Sequence, residues 1–215
     1  MAQVKNKKTQ QSEATRAELL KLGAELLAER GYAGTSLGEI AQRAGLTKGA
    51  IYHHFRGKEE IFAAVVEEVL LQSLYRIQEA SREQAQEAGE TRENSWERLF
   101  AMVELLLDSF REPAVRQIVW LDGPAALGWE RWHAIVAEHT LLRIEIIMEL
   151  IAKTGVLPAE HAQCLAQLMF GALQEAGLTI SHAEDPKAAR AGFAATLRWM
   201  VRELFLRDRA SSPST

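Results

Sequence analysis

The chain has 215 residues, 47% of them hydrophobic and 25% charged, and a formal net charge of −4. That balance excludes disordered and collagen-like proteins and suffices for a sizeable core with one small extra domain. A lone cysteine, Cys164, precludes an internal disulfide. MAQVKNKKTQQSEATRAELL at the start lacks a signal peptide's apolar core, and no apolar run is long enough to cross a bilayer, so a cytoplasmic protein without a membrane partner is expected.

Strand signals are scarce and no Asn-Gly or Asp-Gly hairpin turn occurs, so the chain reads as all-α. Residues 1–12, with Lys5, Lys7 and Lys8 in a polar stretch, read as a flexible basic arm able to touch phosphate or the minor groove. A first helix is expected over about 12–30, closed by Gly31. Thr35 and Ser36 mark the next helix start, because Ser36 and Glu39 have capping-box spacing; Leu37, Ile40, Ala41 and Ala44 give it one apolar face, and Gly45 ends it. Thr47 then caps a short helix running through Phe55, in which Ile51 and Phe55 are the core anchors.

That second short helix carries the chemistry. Gly49 weakens a helix by about 1 kcal/mol relative to Ala, and its missing side chain would let the backbone approach a base edge or phosphate. Lys48, Tyr52, His53 and His54 surround it with one charge and several hydrogen-bond donors, the mixture used where phosphates and bases are contacted together. Lys58 opens a third helix whose free amides attract an anion. Adjacent histidines on a helix point about 100° apart and do not readily grip one ion, so no metal is expected. Residues 1–58 hold ten Lys or Arg against five Glu, leaving an acidic remainder of −9.

Residues 14–62 resemble the DNA-binding domain of the tetracycline-repressor (TetR) family of bacterial transcription regulators. The resemblance rests on Arg16, the Leu19–Leu27 apolar stripe, Gly31-Tyr32, Thr35-Ser36, Ile40-Ala41, Ala44-Gly45, Thr47-Lys48-Gly49, Ile51-Tyr52-His53-His54-Phe55 and Lys58-Glu59; Gly38 is a mild departure. It implies that Thr35, Thr47, Tyr52, His54 and Lys58 contact phosphates and that Lys48, Gly49 and His53 lie in or near the groove. Ser36 is grouped with them, and Phe55 would be core. The implied organisation is a three-helix helix-turn-helix domain over 13–60, a helical bundle for effector binding and dimerisation over 61–209, and a disordered tail over 210–215.

Beyond the reader, a long helix is expected from Lys58 to about Gln86, fraying in the polar run Ser81–Asn94. Further helices are expected at about 94–110, 113–121, 126–153, 159–181 and 186–207, with Pro113 and Pro186 in first turns and Pro158 just outside. Aromatic and soft apolar residues in the middle, Trp96, Phe100, Met102, Val103, Leu106, Trp120, Trp129, Trp132, His133, Phe170 and Leu173, have the composition of a small-molecule site. They equally suit a plain core.

On the last two helices, Leu165, Leu168, Met169 and Ala172, and Phe193, Leu197, Val201 and Leu204, make broad apolar faces suited to a four-helix dimer interface. The expected function is a homodimeric repressor that binds double-stranded operator DNA and is released by a small-molecule effector. The alternatives are a regulator without an effector and a helical enzyme. Glu130 and His133 form an unrepeated Glu-x-x-His, and His161 with Cys164 is more simply an exposed His beside a buried Cys. No phosphate loop, nucleophile elbow or zinc spacing occurs, so no catalytic residue and no cofactor is assigned.

Overall fold

In the computed structural model, residues 7–88, 95–153, 155 and 157–205 are described, without the side chains of 7, 8, 84–88, 95–99 and 201–205. The described residues are helical and divide into two compact units, Met1–Leu70 with Pro113–His133, and Leu71–Glu112 with Ala134–Thr215. None of their helices is long and apolar enough to cross a membrane. The division differs from a single boundary near residue 60, because 61–70 and 113–133 fold with the helix-turn-helix.

The first unit opens with α1 (Lys7–Arg30), which buries Leu19, Leu26 and Leu27 and reaches five residues further back than the expected start at 12. Residues 7–12 of the expected arm are thus helical; residues 1–6 lie outside the described residues. Gly23 lets α1 pack closely, since a Cβ there would lie 3.3 Å from Val65 Cγ2 and 3.7 Å from Ile40 Cδ1. Gly31, at φ +69°, ends the helix.

α2 (Leu37–Arg43) starts with the full capping box: Glu39 N–H donates to Ser36 Oγ (3.2 Å), and Glu39 Oε2 accepts from Ser36 N–H (2.9 Å). It ends in a Schellman arrangement, with Gly45 at φ +68° and Leu46 N–H donating to the Ala41 carbonyl (2.8 Å). α3 (Lys48–Ile51) is shorter than expected; the chain from Tyr52 to Phe55 continues as turns tied back to Ala50 and Ile51. Thr47 Oγ1 caps α3 by accepting from Ala50 N–H (3.2 Å).

α4 (Lys58–Ala88) keeps Ile61, Phe62, Val65, Val66, Val69, Leu70, Leu74 and Ile77 buried and runs through Leu70–Leu71, where the units divide. It is helical through the first half of the expected Ser81–Asn94 loop; 89–94 lie outside the described residues.

In place of the ordinary helix expected at 113–121, Val115–Asp122 is π-helical and is followed by α6 (Gly123–Leu127). A π-helical carbonyl pairs five residues on; for Val119 that position is Pro124, which has no N–H. Val119 O instead accepts from the fully buried Trp132 indole (2.7 Å). Gly123 permits the approach, since a Cβ there would lie 2.6 Å from Trp132 Cδ1.

The second unit comprises α5 (Ser95–Ser109), the remainders of α4 and α7 (Trp129–Lys153), α8 (Ala162–His182) and α9 (Pro186–Phe205). A 3₁₀ turn, Ala159–His161, leads into α8. Asp185 caps α9 by accepting from Lys187 and Ala188 N–H, with Pro186 in the first turn. Arg190 joins α9 to α5 through a two-point pair with Asp108 (Nε to Oδ1 2.9 Å, Nη2 to Oδ2 2.8 Å).

Candidate nucleic-acid interface and effector cavity

The outer side of α3 is assembled by its neighbours. Ile51 and Phe55 are buried at 0% and 1% exposure, and anchoring them turns Thr47, Lys48, Gly49, Tyr52 and His53 to solvent. A Cβ at Gly49 would meet only Thr47 Oγ1 at 4.0 Å, so nothing in the fold demands a glycine there. Among the described residues no side-chain hydrogen bond, ion pair or ring contact is found for Tyr52 or His53. His54 is half-buried at the edge of this surface.

Lys58 stands in the first turn of α4 with Nζ 4.1 Å from the centre of the Tyr32 ring, which itself leans on Phe62 at 4.6 Å. The cation–π contact holds the ammonium at one place, beside amides that favour an anion. Burial, aided by nearby Glu59, keeps the Tyr32 phenol protonated above its ordinary range. On the other side of the ring, Tyr32 N–H donates to Asp122 Oδ2 (2.7 Å), which also accepts from Gln117 (3.0 Å).

One of the expected DNA contacts is corrected. Thr35 is 3% exposed, and its hydroxyl is turned inward to the carbonyls of Gly31 (3.0 Å) and Leu26 (3.3 Å), where it closes the end of α1. Its side chain is not on the outer surface. Ser36 stays exposed, and its hydroxyl donates to Glu39 Oε2 (2.8 Å) and accepts from Glu39 N–H in the helix cap.

The expected effector residues separate. Trp120, Trp129, Trp132 and His133 belong to the first unit, where Trp132 meets Trp120 edge-on (5.7 Å) and Trp129 stacks on His133 (5.5 Å, 19°). The second unit holds a half-open apolar cavity of about 540 Å³. Leu74, Ile77 and Gln78 of α4, Met102, Val103 and Leu106 of α5, Thr140, Arg143, Ile144, Ile147 and Met148 of α7, and Met169 and Leu173 of α8 line it, with Leu142 and Ile146 at its more exposed side.

Of the effector residues expected from sequence, Met102, Val103, Leu106 and Leu173 lie in the lining, while Phe100 and Phe170 are buried outside it; the Trp96 side chain lies outside the described residues. Gln78, Thr140, Arg143 and the Ile144–Met148 wall were not singled out from sequence. Their four-residue spacing was visible, but a cavity wall and a filled core share that spacing.

On α8 and α9 the large exposed apolar residues are Leu168 (71%), Trp199 (62%) and Met200, and Ala172 is exposed as well. Leu165 and Phe193 are half-buried. Leu197 is buried within its own unit and so lies off the outer face, whereas Met169 is half-buried and lines the cavity; Val201 and Leu204 side chains lie outside the described residues. Cys164 is exposed rather than buried as expected. Among the described residues no three His, Cys, Asp or Glu side chains converge as a metal site requires.

A capped helix-turn-helix with an outward α3 and a separate helical unit define a DNA-reading regulator. Comparison with known proteins gives the family. Residues 19–65 match bacterial regulatory proteins of the tetR family, and residues 96–204 match the tetracyclin repressor-like C-terminal domain. The chain belongs to the TetR family of transcriptional regulators. A TetR-family regulator of Pectobacterium atrosepticum has a crystal structure 31% identical, covering 94% of this chain and 97% of that one, with a TM-score of 0.75.

The transcriptional regulator AcrR of Shigella flexneri is 43% identical over 61 residues, so this chain spans about a quarter of that relative (28% of each chain). FadR of Bacillus subtilis, solved with stearoyl-CoA, shares the fold at 20% identity and a TM-score of 0.61, covering 84% of this chain and 96% of its own.

Proposed function

We propose that the protein is a homodimeric repressor that reads operator DNA with α3, from Thr47 through His53, and lets go when a small molecule fills the cavity among α4, α5, α7 and α8. The observation that carries the DNA reading is Gly49, exposed beside Lys48, Tyr52 and His53 with open space where its side chain would be. A helix-weakening residue without an internal packing role is explained by close approach of another molecule's backbone or base edge. Lys58, with Lys5, Lys7 and Lys8 near the start of the chain, adds phosphate contacts.

Dimerisation through α8 and α9 is supported by Leu168, Trp199 and Met200 standing exposed, and by Gly171 and Gly192. A Cβ on either glycine would meet nothing within 4 Å, so their smallness serves a neighbour outside the chain. Two reading helices would then fall one DNA turn, about 34 Å, or a multiple apart.

Release would follow if a ligand favours a different setting of α4, the continuous helix from Lys58 to Ala88 that carries Lys58 at its start and Leu74, Ile77 and Gln78 midway along it. The cavity volume supports this reading, and so does the acyl-CoA held by FadR. Such a protein acts in the cytoplasm, where the chromosome lies.

Selection of bound sequences from a randomised duplex pool, followed by gel-shift titration, tests the proposal. Tyr52→Ala and Lys48→Glu should abolish binding while helicity and oligomeric state stay unchanged. Unchanged binding would refute the assigned surface.

A further inference from the structure

The cavity of the second unit has walls of Leu74, Ile77, Val103, Ile144 and Leu173, and one charged side chain in its lining, Arg143. We infer that the effector is an amphipathic monoanion, an apolar body ending in a single carboxylate, whose head is received by Arg143; this rests on reading the cavity as the effector site.

Several arginines elsewhere on the described surface show what Arg143 lacks. Arg76, Arg131, Arg190 and Arg198 each reach a carboxylate of this chain, Glu112, Glu59, Asp108 and Glu104 in turn. Arg143 is half-buried, and its Nη1 donates to the His139 carbonyl one turn back on its own helix; no ion pair with Asp or Glu is found for it among the described residues. The His139 bond leaves the Nε/Nη2 edge of the guanidinium, the edge that matches a carboxylate with two parallel hydrogen bonds.

A guanidinium facing apolar walls retains water that an apolar ligand must strip, and only an anion compensates that loss. Thr140, three residues before Arg143 on the same side of α7, and Gln78 of α4 add a hydroxyl and an amide to the same lining. A cationic ligand meets repulsion there, and a neutral one leaves the charge uncompensated. The rest of the lining sets no comparable demand beyond apolarity, and about 540 Å³ suits a body of drug-like size.

The test is calorimetric titration of the full-length protein with two carboxylates of different shape, decanoate and naphthaleneacetate, and with the matching alcohols and amines, all below micelle-forming concentrations. At least one carboxylate should bind about tenfold or more tighter than its alcohol and amine. Arg143→Gln should erase that preference without changing the alcohol's affinity, and Arg143→Lys should restore part of it. Alcohol or amine binding as tightly as the acid, or a preference that survives in Arg143→Gln, overturns the anion assignment while leaving an effector cavity in place. No binding by any probe, together with a Met169→Trp filling variant that still releases DNA in cell extract as the native protein does, overturns the cavity reading and the assignment with it.

Discussion

Gly49→Ala separates the demands of folding from those of DNA binding. The added Cβ would touch only Thr47 Oγ1, at 4.0 Å, so no clash opposes it within the chain. In a helix interior Ala gains about 1 kcal/mol over Gly; Gly49 is the second residue of a four-residue helix, so about half of that is expected. For a chain of this size the gain raises the melting temperature by roughly 1–2 °C. Against DNA the same methyl overfills a fitted surface, and overpacking of that kind costs about 1–3 kcal/mol, or roughly fivefold to 150-fold in affinity.

Thermal unfolding and fluorescence anisotropy with a selected operator read the two effects in one preparation. Gly45→Ala is the contrast, since its φ of +68° makes the substitution destabilise the turn itself, by about 1–2 kcal/mol. A Gly49→Ala protein that is more stable and binds DNA as tightly as the native one would refute the reasoning.

Gly123→Ala drives a methyl into the Trp132 ring and strains its bond to Val119, and should cost about 2–4 kcal/mol in denaturant unfolding; a neutral result would discredit the packing described for the π-helical segment. Leu168→Glu together with Trp199→Glu should yield a folded monomer in sedimentation and weaken operator binding, whereas an unaltered dimer would place the interface elsewhere. Glu39 is held below the ordinary carboxylate range by hydrogen bonds from the Ser36 hydroxyl and amide, with help from Arg30 and Lys58. A depressed folded-state pKa contributes stability that is present above the unfolded value and lost as pH falls through the folded one. Carboxyl titration by NMR should therefore find Glu39 ionising below model glutamate, with the Ser36 amide shifting in parallel; ordinary titration would mean that the capping box is not formed in solution.

Helix ends were legible wherever a residue's own chemistry sets them: Ser36 with Glu39, Gly31, Gly45, and Pro186 at the start of α9. The α3 surface was legible for the same reason, because Ile51 and Phe55 are its apolar anchors and the remaining side chains must face out. What escaped depends on partners distant in sequence. The π-helical turn needs Trp132 to satisfy Val119, thirteen residues away. Thr35 looked like a free hydroxyl until the carbonyls of Leu26 and Gly31 claimed it. The tryptophans read as a ligand box because composition cannot tell an aromatic core from a pocket, and nothing in the sequence sets Arg143 apart from the other charges of its helix.

The central claim is that the outer side of α3 lies in the major groove. Methylation interference tests it directly, since dimethyl sulfate marks guanine N7, an atom displayed in that groove. The account predicts loss of binding from methylation at guanines in two half-sites one DNA turn or a multiple apart, in the native protein. Binding that tolerates methylation at every guanine of the operator would contradict it.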